Sequence, residues 1–95
     1  MSDIFQIKSI LESAVNNKSN VELRVEDKKM TLDTIINTKL TEVNFNTDNN
    51  FVAMEAPELR LMFKYENCNM GTQSSMHDKF YFESNEVFVT VVVKM

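Results

Sequence analysis

The sequence predicts an α+β domain in which one N-terminal helix packs on a mostly antiparallel, meandering β-sheet of five to seven strands. Three observations carry that prediction. Apolar residues from Ile4 to Val15 recur at helical spacing. Val21–Val25 and Leu59–Tyr65 alternate apolar and polar side chains. Val87, Phe88, Val89, Val91, Val92 and Val93 crowd into one short stretch. A small, partly open barrel with the helix at one end is the alternative arrangement of the same elements. Residues 1–95 are expected to form a single domain, because 43% apolar residues suffice for one two-layer core and 25% charged residues keep it soluble.

The helix is predicted to start at Ile4, with Asp3 as its cap and Gln6 placed to reach back to that cap. Ile4, Ile7, Ile10, Leu11, Ala14 and Val15 share one face, and Gln6, Lys8, Ser9, Glu12, Ser13 and Asn16 take the other. The polar cluster Asn16–Asn20 ends it. A helix lying on a membrane would line its polar face with Lys and Arg, and Lys8 alone is there, so the apolar stripe is read as facing a sheet.

Val21, Leu23 and Val25 alternate with Glu22 and Arg24 in a half-exposed strand that the Glu26–Lys29 cluster turns back. Met30 and Leu32 are its expected return partner, in a short hairpin followed by an irregular link to Lys39. Leu40–Asn46 reads as a strand with Thr41, Val43 and Phe45 inward, Asn46–Asn50 as a loop, and Phe51–Glu55 as the return, closed by Pro57. Glu58–Glu66 alternates cleanly, with Leu59, Leu61, Phe63 and Tyr65 inward and Arg60, Met62, Lys64 and Glu66 outward. Asn67–Asp78 is read as a long polar connection. Lys79–Glu83 then returns through Ser84 and Asn85 to the last strand, and a two-residue turn places Phe82 opposite Val87, Phe80 opposite Val89 and Glu83 opposite Glu86.

In that last strand, β-branched side chains favour a pleated surface over a helix. Val87, Val89, Val91 and Val93 point to one face, which is expected to be buried. Phe88, Thr90, Val92 and Lys94 point to the other, which is only partly apolar and so suits a partner or a partial cover.

The formal net charge of −4 comes from 14 acidic and 10 basic residues spread along the chain, which argues against general affinity for a phosphate backbone. Cys68 is the single cysteine, so an intrachain disulfide is excluded and a reducing compartment is expected. The N-terminus shows neither a basic nor an apolar leader region, and no run of 18 apolar residues occurs, so the expected location is the cytoplasm. Eleven asparagines and seven methionines stand beside one glycine, Gly71. This mixture resembles proteins encoded by AT-rich genomes, small phage proteins among them. It also implies that asparagine supplies most left-handed turn positions.

Candidate chemistry is sparse. Cys68 and His77 could in principle act as nucleophile and base, but no oxyanion-forming glycine turn accompanies them. With Asp78 they still fall short of the soft ligand set of a zinc site. Glu55 and Glu58, like Glu83 and Glu86, flank wet turns and lack the burial that a general acid needs. No glycine loop cradles a phosphate. The expectation is a chain without catalytic residues, metal or cofactor.

Two features point to binding. If strand 58–66 lies beside the last hairpin, its outer face gathers Arg60, Met62 and Lys64 with Lys79, Tyr81, Phe88 and Lys94, a basic patch with interleaved aromatics. The 67–78 connection adds Met70 and Met76, adaptable side chains suited to a protein surface. The leading expectation is therefore a small non-enzymatic module that binds a protein, as a phage-type inhibitor or antagonist of a host defence or regulatory factor in the host cytoplasm. One alternative is a module that holds a nucleotide or single-stranded nucleic acid on the basic-aromatic face. Another is a structural subunit of a homo-oligomer. An open sheet edge, or the face bearing Phe88 and Val92, is expected to support a homodimer.

Overall fold

The computed structural model describes residues 4–29, 32–73 and 77–94, which form one helix and eight strands. In chain order these are α1 (Ile4–Asn17), β1 (Asn20–Asp27), β2 (Leu32–Thr38), β3 (Glu42–Asn46), β4 (Phe51–Ala56), β5 (Leu59–Lys64), β6 (Asn67–Gln73), β7 (His77–Glu83) and β8 (Val87–Lys94). The strands build two antiparallel sheets, one in the order β2-β1-β8-β7-β6 and one in the order β3-β4-β5. The fold is thus α+β, with more strands than expected, and both sheets are open rather than closed into a barrel.

The helix follows its sequence. Ile4, Ile7, Leu11 and Ala14 are buried, and Ile10 and Val15 pack beside them. Its end is a Schellman motif: Ser19 N–H donates to the Ala14 carbonyl at 3.0 Å and Lys18 N–H to the Val15 carbonyl at 3.3 Å. This geometry requires a left-handed residue after Asn17, and Lys18 takes it, with φ 53°. The expectation that asparagine fills such positions holds at Asn50, φ 50°, but not here. Asp3, the expected N-terminal cap, lies outside the described residues.

The core forms where the two sheets and the helix meet. Val21 and Leu23 of β1, Val89, Val91 and Val93 of β8, and Phe80 and Phe82 of β7 are all buried on the inner face of the larger sheet. Each such side chain contributes roughly 1.5–3 kcal/mol by leaving water. The smaller sheet closes over this face: the Phe82 ring lies 6.2 Å from Phe45 of β3 and 5.5 Å from Phe63 of β5, centroid to centroid. Helix α1 packs on β3, β6 and β8 and joins the same core.

Four expectations change. β2 is a full strand rather than a short return and an irregular link, and it pairs with β1 from Asp27↔Leu32 to Val21↔Thr38. Its hydrogen-bonded ladder overrides an ambiguous local pattern; Met30, the other expected partner residue, lies outside the described residues. Asn67–Gln73 is a strand rather than a connection, because β7 offers it a ladder and its Cys68 and Met70 tuck against the core opposite Phe82 and Phe80. Thr41 is exposed instead of inward; its hydroxyl donates to the Glu55 carbonyl at 3.2 Å, which holds it outside the core.

The fourth change is the register of the last hairpin. Phe82 faces Val89 and Phe80 faces Val91, so the pairing is displaced by two residues and Glu83 faces Phe88 rather than Glu86. The cause is a wider turn. Ser84 N–H donates to the Val87 carbonyl at 2.9 Å, while the Ser84 hydroxyl oxygen accepts from Glu86 N–H at 3.3 Å and Val87 N–H at 3.1 Å. A two-residue shift preserves the side-chain alternation, so the buried set is unchanged.

Candidate functional site

The expected basic-aromatic patch does not assemble, because β6, not β5, lies beside β7, and β5 belongs to the other sheet. Arg60, Met62 and Lys64 sit on the outer face of the three-stranded sheet. Lys79, Tyr81, Phe88 and Lys94 sit on the outer face of the five-stranded one. The two sheets pack through Phe45, Phe63 and Phe82, so these outer faces look in opposite directions. Arg60 is engaged by Glu55 at 3.2 Å, and Met62 is 50% exposed. Met70 is half-buried on the inner side of β6, where it packs on the core instead of offering itself to a partner. Met76 lies outside the described residues.

What remains is the outer face of the five-stranded sheet, which no described element covers. The strand registers arrange it in rows. Asn37, Glu22, Val92 and Lys79 form one. Ile35, Arg24, Thr90, Tyr81 and Asn69 form the next, and Asp33, Glu26, Phe88, Glu83 and Asn67 the third. At the centre the Tyr81 and Phe88 rings stack, with centroids 5.0 Å apart and planes 20° from parallel. They occupy a diagonal across β7 and β8, close enough for large rings to touch. Val92 and Thr90 continue the half-buried stripe along β8, and Ile35 stands 54% exposed on β2.

Most charges around this stripe are already paired. The Arg24 guanidinium donates to both carboxylate oxygens of Asp33, at 2.8 and 3.2 Å, and lies 3.5 Å from Glu26. That hydrogen bonding holds the Asp33 carboxyl below the usual carboxylate range. Lys94 stands 3.9 Å from Glu22, and Lys28 binds Glu83 at 2.6 Å. These are exposed, solvent-screened pairs, and they orient side chains more than they stabilise the fold.

The catalytic and metal possibilities separate in space. Cys68 points into the core from β6 opposite Phe82, whereas His77 lies on the outer face of β7 opposite Lys94. Residues 77 and 82 of one strand are about 17 Å apart at some 3.4 Å per residue, so thiol and imidazole do not meet. Among the described residues, no three His, Cys, Asp or Glu side chains converge on a point where a metal would bind. No described helix is long and apolar enough to cross a membrane.

One pair escaped the sequence reading. Glu42 and Glu55 face each other across β3 and β4, and a hydrogen bond between the two carboxyls, with a contribution from burial, holds Glu55 above the usual range despite Arg60. The Asn46–Asn50 turn contained the signal, since closing it so that Asn46 faces Phe51 brings Glu42 opposite Glu55. The pair sits on an open surface, with Glu42 exposed and Glu55 half-buried. Arg24, Ile35 and Glu22 were also missed as neighbours of Tyr81 and Phe88. Their approach depends on β1 pairing with β8, and no local pattern announces that pairing. Against models of known families, curated proteins and solved structures alike, the chain finds no match.

Proposed function

We propose that this chain is a non-enzymatic binding protein whose working surface is the outer face of the five-stranded sheet, and that its partner is a protein. The observation that carries this reading is the Tyr81–Phe88 stack on an uncovered sheet, continued by Val92 and Ile35 and framed by charges already satisfied within the chain. Large aromatic side chains at the centre of a polar-rimmed patch are the usual source of binding energy between proteins. A nucleic acid fits this face poorly. Glu22, Glu26, Asp33 and Glu83 repel phosphate, Arg24 and Lys94 are paired with carboxylates, and the separation of Arg60 and Lys64 removes the charge that reading needed.

The narrower reading, a phage-type antagonist of a host factor in the cytoplasm, rests on the asparagine-rich, glycine-poor composition and the lone cysteine. An affinity capture from lysate of the cells that express the protein tests the reading. Wild-type bait and the Lys64→Ala variant should retain the same protein, and the Tyr81→Ala and Phe88→Ala variants should lose at least tenfold in affinity for it, the effect of about 1.4 kcal/mol. Retention that ignores both aromatic substitutions, or a bound oligonucleotide released by salt and by Lys64→Ala, would overturn it.

A further inference from the structure

The two sheets expose four edges, and three carry features that discourage pairing with another chain. β3 is short, at 5 residues, and lies against α1. β5 carries Arg60 and Lys64. β6 has a register irregularity between Met70 and Gln73. Charged side chains, short length and bulges are the devices by which sheets avoid adding strands. The fourth edge, β2, is neither short nor bulged and carries no basic side chain. It runs 7 residues, Leu32-Asp33-Thr34-Ile35-Ile36-Asn37-Thr38, without Lys, Arg, Pro or Gly, and four of the seven are β-branched. Its one charge, Asp33, is held by Arg24 from β1.

We infer that β2 pairs antiparallel with β2 of a second copy of this chain, joining two five-stranded sheets into one of ten across a two-fold axis. Symmetry and side-chain alternation restrict the register. A two-fold axis normal to the sheet keeps each outer face outward, so only residues of the same face can oppose, and the axis must pass at a residue of the strand. Placed at Ile35, the midpoint of β2, it pairs the whole strand: Asp33 with Asn37, Thr34 with Ile36, and Ile35 with its own copy. No like charges meet. The exposed Ile35 side chain gains an apolar cross-strand neighbour, and about six to eight backbone hydrogen bonds form. An axis at Asp33 would instead set two carboxylates face to face and leave half the strand unpaired.

An edge contact of this kind buries less than the roughly 1,000 Å² of a stable interface, so the dimer is weak and forms in the micromolar range. Tyr81 and Phe88, half-buried on the outer face, stay uncovered in both copies, since β8 and β7 lie inward of β1. The dimer shares Ile35 with the surface proposed above but leaves its Tyr81–Phe88 centre uncovered, so cross-linking at residue 35 reports on self-association and Phe88→Ala on the partner.

Site-specific cross-linking tests it, in a Cys68→Ser background under oxidised glutathione as the oxidant. At the two-fold axis the two residue 35 Cα atoms are about 4.5–5.5 Å apart, within disulfide reach, so Ile35→Cys should yield a covalent dimer. Asn37→Cys, equally exposed, should not, because its two copies lie about 13 Å apart along the strand. Sedimentation of the otherwise wild-type chain should show the dimer fraction rising between about 1 and 100 µM, and Ile35→Lys should abolish it with the circular dichroism spectrum unchanged. A chain that stays monomeric throughout and cross-links no better at 35 than at 37 would overturn the inference. So would a dimer that survives Ile35→Lys and is lost on Phe88→Lys.

Discussion

Tyr65 sets its ring 5.1 Å from that of Phe82, at 49°, and buries a hydroxyl that has no hydrogen-bond partner among the described residues. The residue is 5% exposed, and burial pushes its phenol above the usual tyrosine range. An unpaired buried hydroxyl costs about 1–3 kcal/mol, whereas the ring itself is well packed. Tyr65→Phe should therefore raise stability by about 1 kcal/mol, seen as a Tm increase of about 4–8 °C in a domain of this size. A drop in Tm would mean that water or a bound group satisfies the hydroxyl.

Lys18 is a second place where a substitution should stabilise. Its left-handed backbone serves the Schellman motif that ends α1, and a side chain with a Cβ is disfavoured there by about 1–2 kcal/mol. Lys18→Gly should gain about 0.5–1 kcal/mol in urea unfolding, after the entropy lost to glycine in the unfolded chain is offset. Lys18→Val should destabilise, since β-branching adds to the conflict.

Val91 tests the core. It is fully buried on β8, with Leu23 opposite on β1 and Phe80 opposite on β7. A carboxylate at that position has no counter-charge among the buried residues and costs several kcal/mol against a total of about 5–15. Val91→Asp should be unfolded at 25 °C by circular dichroism, while Val91→Ile should fold at a cost of about 1–3 kcal/mol.

How much of this was legible depends on where each segment's free energy comes from. α1 and β8 declare themselves, because helical spacing in Ile4–Val15 and β-branching in Val87–Val93 act locally. β6 does not. Its inward positions carry Cys68 and Met70 and its outward ones Asn67, Asn69 and Gly71, a polar alternation that only the ladder to β7 turns into a strand. Gly71 fits within it, since its backbone is not left-handed and a Cβ there would stand an ordinary 3.5 Å from the Lys79 carbonyl oxygen. The aromatic half of the candidate site was visible for the same local reason as β8. Its basic half was misplaced because strand order is set by contacts distant in sequence, and the alternation of Leu59–Lys64 is equally compatible with either sheet.

The Glu42–Glu55 pair gives the fold a pH signature. Because the hydrogen bond between the carboxyls raises Glu55 in the folded state, the folded chain binds more protons than the unfolded one between the two values. The stabilising contribution is fully present below the unfolded value and is lost as pH rises through the folded one. Glu42→Gln should lower the Glu55 midpoint towards the ordinary carboxylate range in an NMR titration, and should stabilise the chain at about pH 7 more than at about pH 4. Asp33 has the opposite sign. Its depressed value contributes stability above the unfolded midpoint and loses it as pH falls through the folded one, so Asp33→Asn should weaken the chain at neutral pH only.

The pairing of β1 with β8 has a kinetic consequence. Val21 lies beside Val93, so the two hairpin systems of the larger sheet remain separate until segments from opposite ends of the chain find each other. That encounter carries a loop-closure entropy which local turns avoid, and sheets dominated by such pairings fold in milliseconds to seconds rather than microseconds. During synthesis, α1 and β1 leave the ribosome long before β8 exists. The valine-rich seam between them cannot close until β8 has been made.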